Sequence, residues 1–328
     1  MIKKGAKLIL RPPRHIYNLE NIPPCTIFEG DEIDRTAVTF SNDRGDTLPG
    51  SYYCLKNFVP KENEKKTCII YLHGNASNQL EGRFLQYLFI PVGISLFCFD
   101  FDGCGCSSGN SVSLGYYEQN DVKCAIEMLK KQFNIEQFLL WGRSMGAAVS
   151  IMVANQLKND KCIKAIVADS AYSSVKNLVK CLGKERNVPA WIAKILYKRV
   201  RERIIKKNKF DLNEVSPIDS ISNVTIPIFI IHGNEDHFVP KKNSELLYAQ
   251  SPAKIKELRI VKGEHESHRP VAVLQEATVF LCAAAGIAIE FPEEEEDKNV
   301  DNEVLYQYSN QHYKDIDEMI NACKNDVE

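Results

Sequence analysis

The sequence predicts an α/β fold in which a mainly parallel central sheet is flanked by helices. Apolar, strand-like runs recur between segments with helical periodicity, which is the order of elements in a parallel sheet with helical crossovers. Each of these apolar runs ends in polar or Gly-rich residues. The 328 residues are 44% hydrophobic and 26% charged, which is the composition of a globular protein with a sizeable core.

The elements can be placed in order along the chain. Residues 36–59 are predicted to form antiparallel strands around a turn that contains Asp43, Gly45 and Pro49, which are typical turn residues. Six apolar runs are the candidate core strands: 67–72, 94–101, 137–141, 163–168, 227–231 and 255–261. Helical periodicity fits five segments: 80–90, 117–132, 145–158, 241–250 and 270–285.

This order predicts one domain over residues 36–289, preceded by an N-terminal extension of residues 1–35. Between about 173 and 222 only helical patterns occur, so the sequence predicts a short helical lid inserted at the edge of the sheet. Within it, residues 194–209 carry eight Lys or Arg and one Glu. Residues 290–328 are polar and acidic and are predicted to form a partly ordered tail.

Charge and cysteine content exclude several classes of protein. The 41 Lys and Arg against 43 Asp and Glu give a formal net charge of −2, so a nucleic-acid partner is not predicted. The N-terminus lacks the apolar segment and cleavage site of a secretory signal. The eleven cysteines are scattered along the chain, which favours free thiols in a reducing compartment. We therefore expect a cytoplasmic protein.

The most informative motif is the GxSxG formed by Gly142, Ser144 and Gly146, within LLWGRSMGAA. It lies between an apolar strand and a helix rich in small residues. A serine nucleophile on a sharp strand-to-helix turn needs a strained backbone and small residues two positions before and after it. The motif predicts Ser144 as the nucleophile, although a glycine-rich turn with an incidental serine would have the same pattern.

A serine hydroxyl is a weak nucleophile, so it needs a base and a carboxylate that orients the base. Asp236 follows the candidate strand 227–231, and His265 follows the candidate strand 255–261. Parallel strands bring their carboxyl ends to one edge of the sheet, so these residues can converge on Ser144. The sequence predicts a Ser144-His265-Asp236 triad in the chain order Ser, Asp, His.

Neighbouring residues leave alternatives open. Glu235 adjoins Asp236 and could supply the carboxylate, and His268 stands three residues after His265. We favour Asp236 and His265, because His268 lies at an apparent helix start where a capping or surface role is expected. His232 ends a buried strand and is expected to be structural.

The segment YLHGNASN, at 71–78, is predicted to supply part of an oxyanion hole. Backbone N–H groups aimed at the developing negative charge stabilise the transition state of acyl transfer, and a Gly-containing turn exposes such groups. We assign the two donors to the backbone amides of Asn75 and Met145. The imidazole of His73 is expected to hold the loop in place rather than to react.

A second Gly-rich segment, FDFDGCGCSSG at 99–109, is predicted to be a structural loop. It lacks nucleotide-binding spacings, and Asp100 and Asp102 would repel an anion. Cys104 and Cys106 have no further ligands at metal-site spacing. The sequence therefore predicts neither a metal nor an organic cofactor.

These stretches together resemble the alpha/beta-hydrolase superfamily. They are most similar to the eukaryotic alpha/beta-hydrolase-domain serine hydrolases that include protein depalmitoylases, and to related serine aminopeptidase-like sequences of protists. The matching stretches extend over roughly 8–285 and comprise RPPRHIY, YLHGNASN, FDFDGCGCSSG followed by SLGYYEQNDV, GRSMGAA, ADSAYSS, IHGNEDHFVP and GEHESHRP. In that pattern the nucleophile falls on Ser144, the acid on Asp236 and the base on His265. The acylated N-terminal cysteine cluster of those depalmitoylases has no counterpart here, where the first cysteine is Cys25.

The resemblance implies a serine hydrolase that cleaves ester or thioester bonds of small-molecule, lipid or acyl-protein substrates, with a lid that covers the substrate. A serine peptidase and a non-catalytic scaffold remain alternatives. We expect the apolar residues of the lid helix to share one face that packs on the core: Trp191, Ile195, Leu196, Val200 and Ile204. Alternatively, the basic residues 194–209 make peripheral contact with an anionic membrane, or the acidic residues 293–297 neutralise them.

Overall fold

The computed structural model describes residues 10–11, 13–58, 65–185 and 187–289. In this part of the chain nine strands form one sheet, in the order β1-β2-β3-β5-β4-β6-β7-β8-β9. Strands β4 to β9 pair in parallel, whereas β1, β2 and β3 pair antiparallel with their neighbours. The strands are β1 (Cys25–Phe28), β2 (Asp31–Ser41), β3 (Thr47–Leu55), β4 (Thr67–Leu72), β5 (Ser95–Phe99), β6 (Gln137–Arg143), β7 (Ile163–Asp169), β8 (Ile228–Gly233) and β9 (Lys256–Val261). The predicted fold class is confirmed.

Helices cover both faces of this sheet. Within the described ranges they are α1 (Gln86–Phe89), α2 (Glu118–Phe133), α3 (Met145–Gln156), α4 (Val175–Glu185), α5 (Ala190–Asn208), α6 (Pro217–Ile221), α7 (Lys242–Gln250) and α8 (Val271–Ala284). Phe138 and Leu140 of β6 belong to one hydrophobic cluster with α2 and α3, and Leu139 and Trp141 belong to another with α1 and α8. Because successive side chains of a strand point to opposite faces, both faces are buried, which explains the unbroken apolar runs.

The N-terminal half of the sheet differs from the sequence prediction in three places. Strand β1 and the start of β2 lie within residues 1–35, so the sheet begins inside the predicted extension. Pro49 lies in β3 rather than in the turn, just before Gly50, where the pairing with β5 begins. The predicted helix 80–90 is a 3-10 segment (Gln79–Leu85) that continues into α1 for one turn, and it contains Gly82, a weak helix former.

Between β7 and β8 the described chain is helical, as predicted for the lid, but its apolar residues do not share one face. Ile204 of α5 is fully buried, whereas Trp191 is 61% exposed and Ile195 is 44% exposed. At about 100° per residue, the nine positions from Ile195 to Ile204 turn the helix to nearly the opposite side. The prediction that this set packs together on the core is therefore wrong for Trp191 and Ile195.

Candidate active site

Ser144 occupies the sharp turn between β6 and α3. Its backbone has φ 51° and ψ −111°, a strained conformation for a residue with a side chain. Its N–H donates to the Asp169 carbonyl over 2.8 Å, which ties the turn to the end of β7. A Cβ at Gly142 would lie 2.3 Å from the Gly146 carbonyl carbon, and one at Gly146 would lie 1.8 Å from the Leu72 oxygen. The two glycines are therefore required by close backbone approach.

The structure brings the three predicted triad side chains together. His265 Nε2 lies 3.0 Å from Ser144 Oγ, and His265 Nδ1 lies 2.5 Å from Asp236 Oδ2. All three residues are buried, with 4–5% of their surface exposed. A carboxylate at Nδ1 keeps the proton on that nitrogen, so Nε2 accepts from the serine hydroxyl. This arrangement can withdraw a proton from Ser144.

Asp236 is fixed by several donors besides His265. Its Oδ1 accepts the backbone N–H groups of Phe238 (3.0 Å) and Val239 (2.7 Å), and its Oδ2 lies 3.3 Å from His232 Nε2. Burial alone would raise the pKa of Asp236, but the charge of His265 and the hydrogen bonds to the His232 and His265 side chains outweigh it and hold the pKa well below its usual range. Asp236 thus stays ionised beside the imidazole.

The residues that the sequence left as alternatives for the acid and the base are exposed or have other partners. Glu235 is exposed, and its backbone N–H donates to the Gly263 carbonyl over 3.0 Å. His268 is also exposed. His232 is fully buried, with Nδ1 2.6 Å from Ser244 Oγ and Nε2 2.6 Å from the Val239 carbonyl, as expected of a structural histidine.

The pH dependence of turnover follows from the environment of His265. Burial disfavours the imidazolium, but the charge of Asp236 and the hydrogen bond to it outweigh burial and raise the pKa of His265. The base must be neutral to act, so we expect kcat/KM to fall as the pH drops through a value above about 6.5, the ordinary histidine pKa. A pH–rate profile with a neutral ester checks this, and an acidic limb below that value would contradict it.

The loop after β4 lies against the nucleophile. A Cβ at Gly74 would lie 3.8 Å from the Ser144 Cβ, so this backbone borders the reacting hydroxyl. The Gly74 N–H donates to Glu81 Oε2 over 3.0 Å and is therefore committed to the protein. This favours the next amide, that of Asn75, as the predicted oxyanion donor from this loop. The second predicted donor, Met145, is the first residue of α3, where backbone N–H groups lack intrahelical acceptors.

A buried ion pair that the sequence analysis missed holds the loop carrying His265. Arg269 Nε donates to both carboxylate oxygens of Asp169 at 3.0 Å, and its Nη1 donates to the carbonyls of Glu264 (3.2 Å) and Ser267 (3.0 Å). Arg269 therefore links the end of β7 to both sides of His265. The pair spans 100 residues of sequence, and no local pattern indicates it.

A second arginine supports the same loop from the nucleophile motif. Arg143, the residue before Ser144, donates from Nη2 to the His265 carbonyl over 2.6 Å. Burial alone would raise the pKa of Asp169, but the charges of Arg269 and Arg143 outweigh it and lower that pKa. The ends of β6 and β7 and the base loop thus form one charged, buried framework.

We expect Arg269→Met to destabilise the fold by about 3–5 kcal/mol, because it leaves the carboxylate of Asp169 buried without its ion-pair partner. The double variant Asp169→Leu/Arg269→Met removes both charges and should recover most of that loss. Denaturant unfolding of the single and double variants measures the difference. If the double variant were as unstable as Arg269→Met, uncompensated charge would not be the cause.

The remaining predicted loop residues have structural partners. His73 donates from Nδ1 to the Gly74 carbonyl (2.7 Å) and accepts at Nε2 from the Phe101 N–H (3.0 Å), and burial lowers its pKa. Asp100 accepts from the Tyr17 hydroxyl and the Cys106 N–H, both over 2.8 Å. These contacts fit a role for both residues in holding loops. Across the described ranges, His, Cys, Asp and Glu residues form no group of three or more suited to a metal ion.

Known proteins are similar to this chain in sequence and in structure. Residues 117–250 match the BD-FAE family model. The chain is 29% identical over 266 residues to the uncharacterized protein YfhR of Salmonella typhi, an alignment that covers 77% of this chain and 82% of YfhR. It is 22% identical over 239 residues to alpha/beta hydrolase domain-containing protein 17C of Mus musculus, with 71% and 63% of the two chains covered.

Among solved structures, the Pyrococcus furiosus esterase Pf2001 superposes with a TM-score of 0.60 at 21% identity. The match covers 84% of this chain and 100% of the esterase chain. At this level of identity the likeness shows a shared fold, and function has to be argued from the site itself.

Proposed function

We propose that the chain is a serine hydrolase of the alpha/beta-hydrolase superfamily that cleaves carboxylic ester or thioester bonds. The observation that carries the proposal is the unbroken hydrogen-bonded path from Asp236 through His265 to Ser144, with contacts of 2.5 and 3.0 Å. The strained backbone of Ser144 supports it, because such strain at a nucleophile is typical of this turn.

No helix of the described ranges has the length and apolar character of a bilayer span.

In the proposed reaction, Ser144 Oγ attacks the acyl carbonyl while His265 Nε2 takes its proton. The resulting imidazolium is stabilised by ionised Asp236, and the amides of Asn75 and Met145 bind the oxyanion. His265 then protonates the departing alkoxide or thiolate, and the acyl group stays on Ser144. Water, activated by the same imidazole, attacks the acyl-enzyme, and the serine is regenerated.

Esters and thioesters are proposed ahead of amides. The substrate class we propose is a small-molecule ester or an acylated lipid or protein, and the esterase Pf2001 is a precedent for ester cleavage on this fold. A peptidase of aminopeptidase type would need a subsite for a free amino terminus, and the sequence offers no identifiable one.

The test uses the full chain with matched p-nitrophenyl esters, thioesters and aminoacyl p-nitroanilides. We expect turnover of esters and thioesters, and covalent labelling by a fluorophosphonate probe at one site. Preferred cleavage of the anilides would favour the peptidase alternative, and absence of both turnover and labelling would favour a non-catalytic scaffold. A series of acyl-chain lengths in the same assay reports the depth of the acyl site.

A further inference from the structure

The N-terminal half of α5 presents two large apolar side chains to solvent. Trp191 and Ile195 stand one helical turn apart, on the same side of the helix, and are 61% and 44% exposed. The rest of this side is also exposed and carries one acidic residue among three basic ones: Lys198, Arg199, Glu202 and Lys206. We call these six residues the outer face of α5.

The opposite side of α5 attaches the helix to the domain. Ile204 is fully buried, and the carbonyl of Asn208, the last residue of the helix, accepts from the Tyr117 hydroxyl over 3.0 Å. Just beyond the helix, the Phe210 ring stacks on Tyr116 with centroids 5.2 Å apart. The helix is therefore anchored at its C-terminal end, and its outer face points away from the core.

Positive charge is concentrated around this face. Residues 175–209, from the start of α4 to just past α5, contain twelve Lys or Arg and two Glu, in a chain whose net charge is −2. Arg201 is paired with Asp211, and Lys198 lies 4.0 Å from Glu202. Because twelve cations outnumber the two glutamates of this segment and the neighbouring Asp211, the helix pair carries a strong local excess of positive charge.

We propose that the outer face of α5 docks on the surface of an anionic lipid bilayer. Tryptophan is favoured at the membrane interface, and lysine and arginine bind anionic headgroups while their alkyl stems lie on apolar surface. One exposed side of α5 has an apolar end and a basic flank, which match the apolar interior and the anionic headgroups of such a bilayer. An acidic protein surface would satisfy the cations but would leave Trp191 and Ile195 against polar groups.

The place of α5 in the chain connects docking with catalysis. The helix pair follows β7, whose last residue, Asp169, accepts from the Ser144 N–H. Docking would therefore hold the segment that follows this strand at a source of acyl chains. This consequence for substrate choice rests on the proposed hydrolase function, whereas vesicle binding does not require hydrolysis.

The experiment measures binding of the full chain to phosphatidylcholine vesicles with and without phosphatidylserine, at low and high salt. The chain has two tryptophans, and Trp141 is 2% exposed, so a change in emission reports Trp191. We expect a blue shift and sedimentation with the anionic vesicles at low salt. The shift should disappear in Trp191→Phe, while the sedimentation remains.

Variants test the apolar and the basic residues of the outer face separately. Trp191→Ala/Ile195→Ala should weaken vesicle binding at least about 10-fold, and Lys198→Gln/Arg199→Gln about 25-fold, or about fivefold per charge removed. Ile255→Ala and Lys242→Gln change similarly exposed residues elsewhere and should bind as the unaltered chain does. Equal binding by all four variants would overturn the proposal.

Two further outcomes are decisive. Ser144→Ala should bind the vesicles normally. An unaltered chain that binds the vesicles but hydrolyses no ester would contradict the catalytic proposal and leave the docking proposal intact. Conversely, Trp191 emission that is blue-shifted without vesicles and does not respond to them would identify a segment of the chain itself as the occupant. The acidic residues 293–297, which lie outside the described residues, are the candidate for that result, and it would overturn docking on lipid.

Discussion

Replacing Ser144 by Ala is expected to lower kcat by about 10⁴- to 10⁶-fold, the scale seen when triad members are removed from serine hydrolases. The reason is geometric. Ser144 Oγ lies 3.0 Å from His265 Nε2, so its loss removes the nucleophile that this base activates. Activity on the best ester, and labelling by a fluorophosphonate probe, are the two measurements.

The control for this variant is Ser222→Ala. Ser222 is exposed and its hydroxyl bonds the Asp219 carbonyl over 2.7 Å, so its removal should leave turnover and labelling unchanged. Circular dichroism and thermal unfolding of Ser144→Ala check that the fold is kept. Esterase activity close to normal in a folded Ser144→Ala protein would exclude the acyl-enzyme mechanism.

The triad could be predicted because it depends on topology, which the sequence pattern reports well. Ser144, Asp236 and His265 each follow an apolar run, and the runs become the parallel strands β6, β8 and β9. Parallel strands end at one edge, so the three residues could be expected to meet without any knowledge of side-chain contacts. Their catalytic roles remain predictions. The contacts of 2.5 and 3.0 Å are short enough for the proton transfer that these roles require.

The supporting framework could not be predicted in the same way. Arg269 binds Asp169 across 100 residues, and Arg143 binds the His265 carbonyl across 122. Neither contact produces periodicity, spacing or a motif, because each depends on how loops of separate βα units pack. The signals available were weak ones: an arginine inside the GxSxG motif and another close behind the candidate base.

The lid shows a different limit. A segment without strand-like runs was enough to predict helices between β7 and β8, but the choice of buried face was wrong for Trp191 and Ile195. Apolar residues on both sides of a helix do not indicate which side faces the core. That choice is made by the anchoring of the C-terminal end through Ile204 and Phe210, both buried. The apolar residues left outside are what make the lid a candidate docking surface.

Replacing Asp236 by Asn is expected to lower kcat by about 10⁴-fold while the site keeps its shape. Oδ1 accepts from the backbone amides of Phe238 and Val239, so the asparagine oxygen should occupy that position. Its Nδ2 would then face His265 and donate to Nδ1. The imidazole would have to carry its proton on Nε2, the nitrogen that faces Ser144, and in that tautomer it cannot act as the base.

The matched control is Glu235→Gln, which changes the exposed neighbouring carboxylate. It should leave kcat and the acidic limb of the pH profile unchanged, whereas Asp236→Asn should also lower the pKa of His265, because the charge that raises that pKa is removed. Measuring kcat and the pKa of the acidic limb distinguishes loss of a positioned base from misfolding. Misfolding would lower kcat without lowering that pKa. If Glu235→Gln caused the larger loss, the carboxylate would be assigned to the wrong residue, and the contact between Asp236 and His265 would be structural.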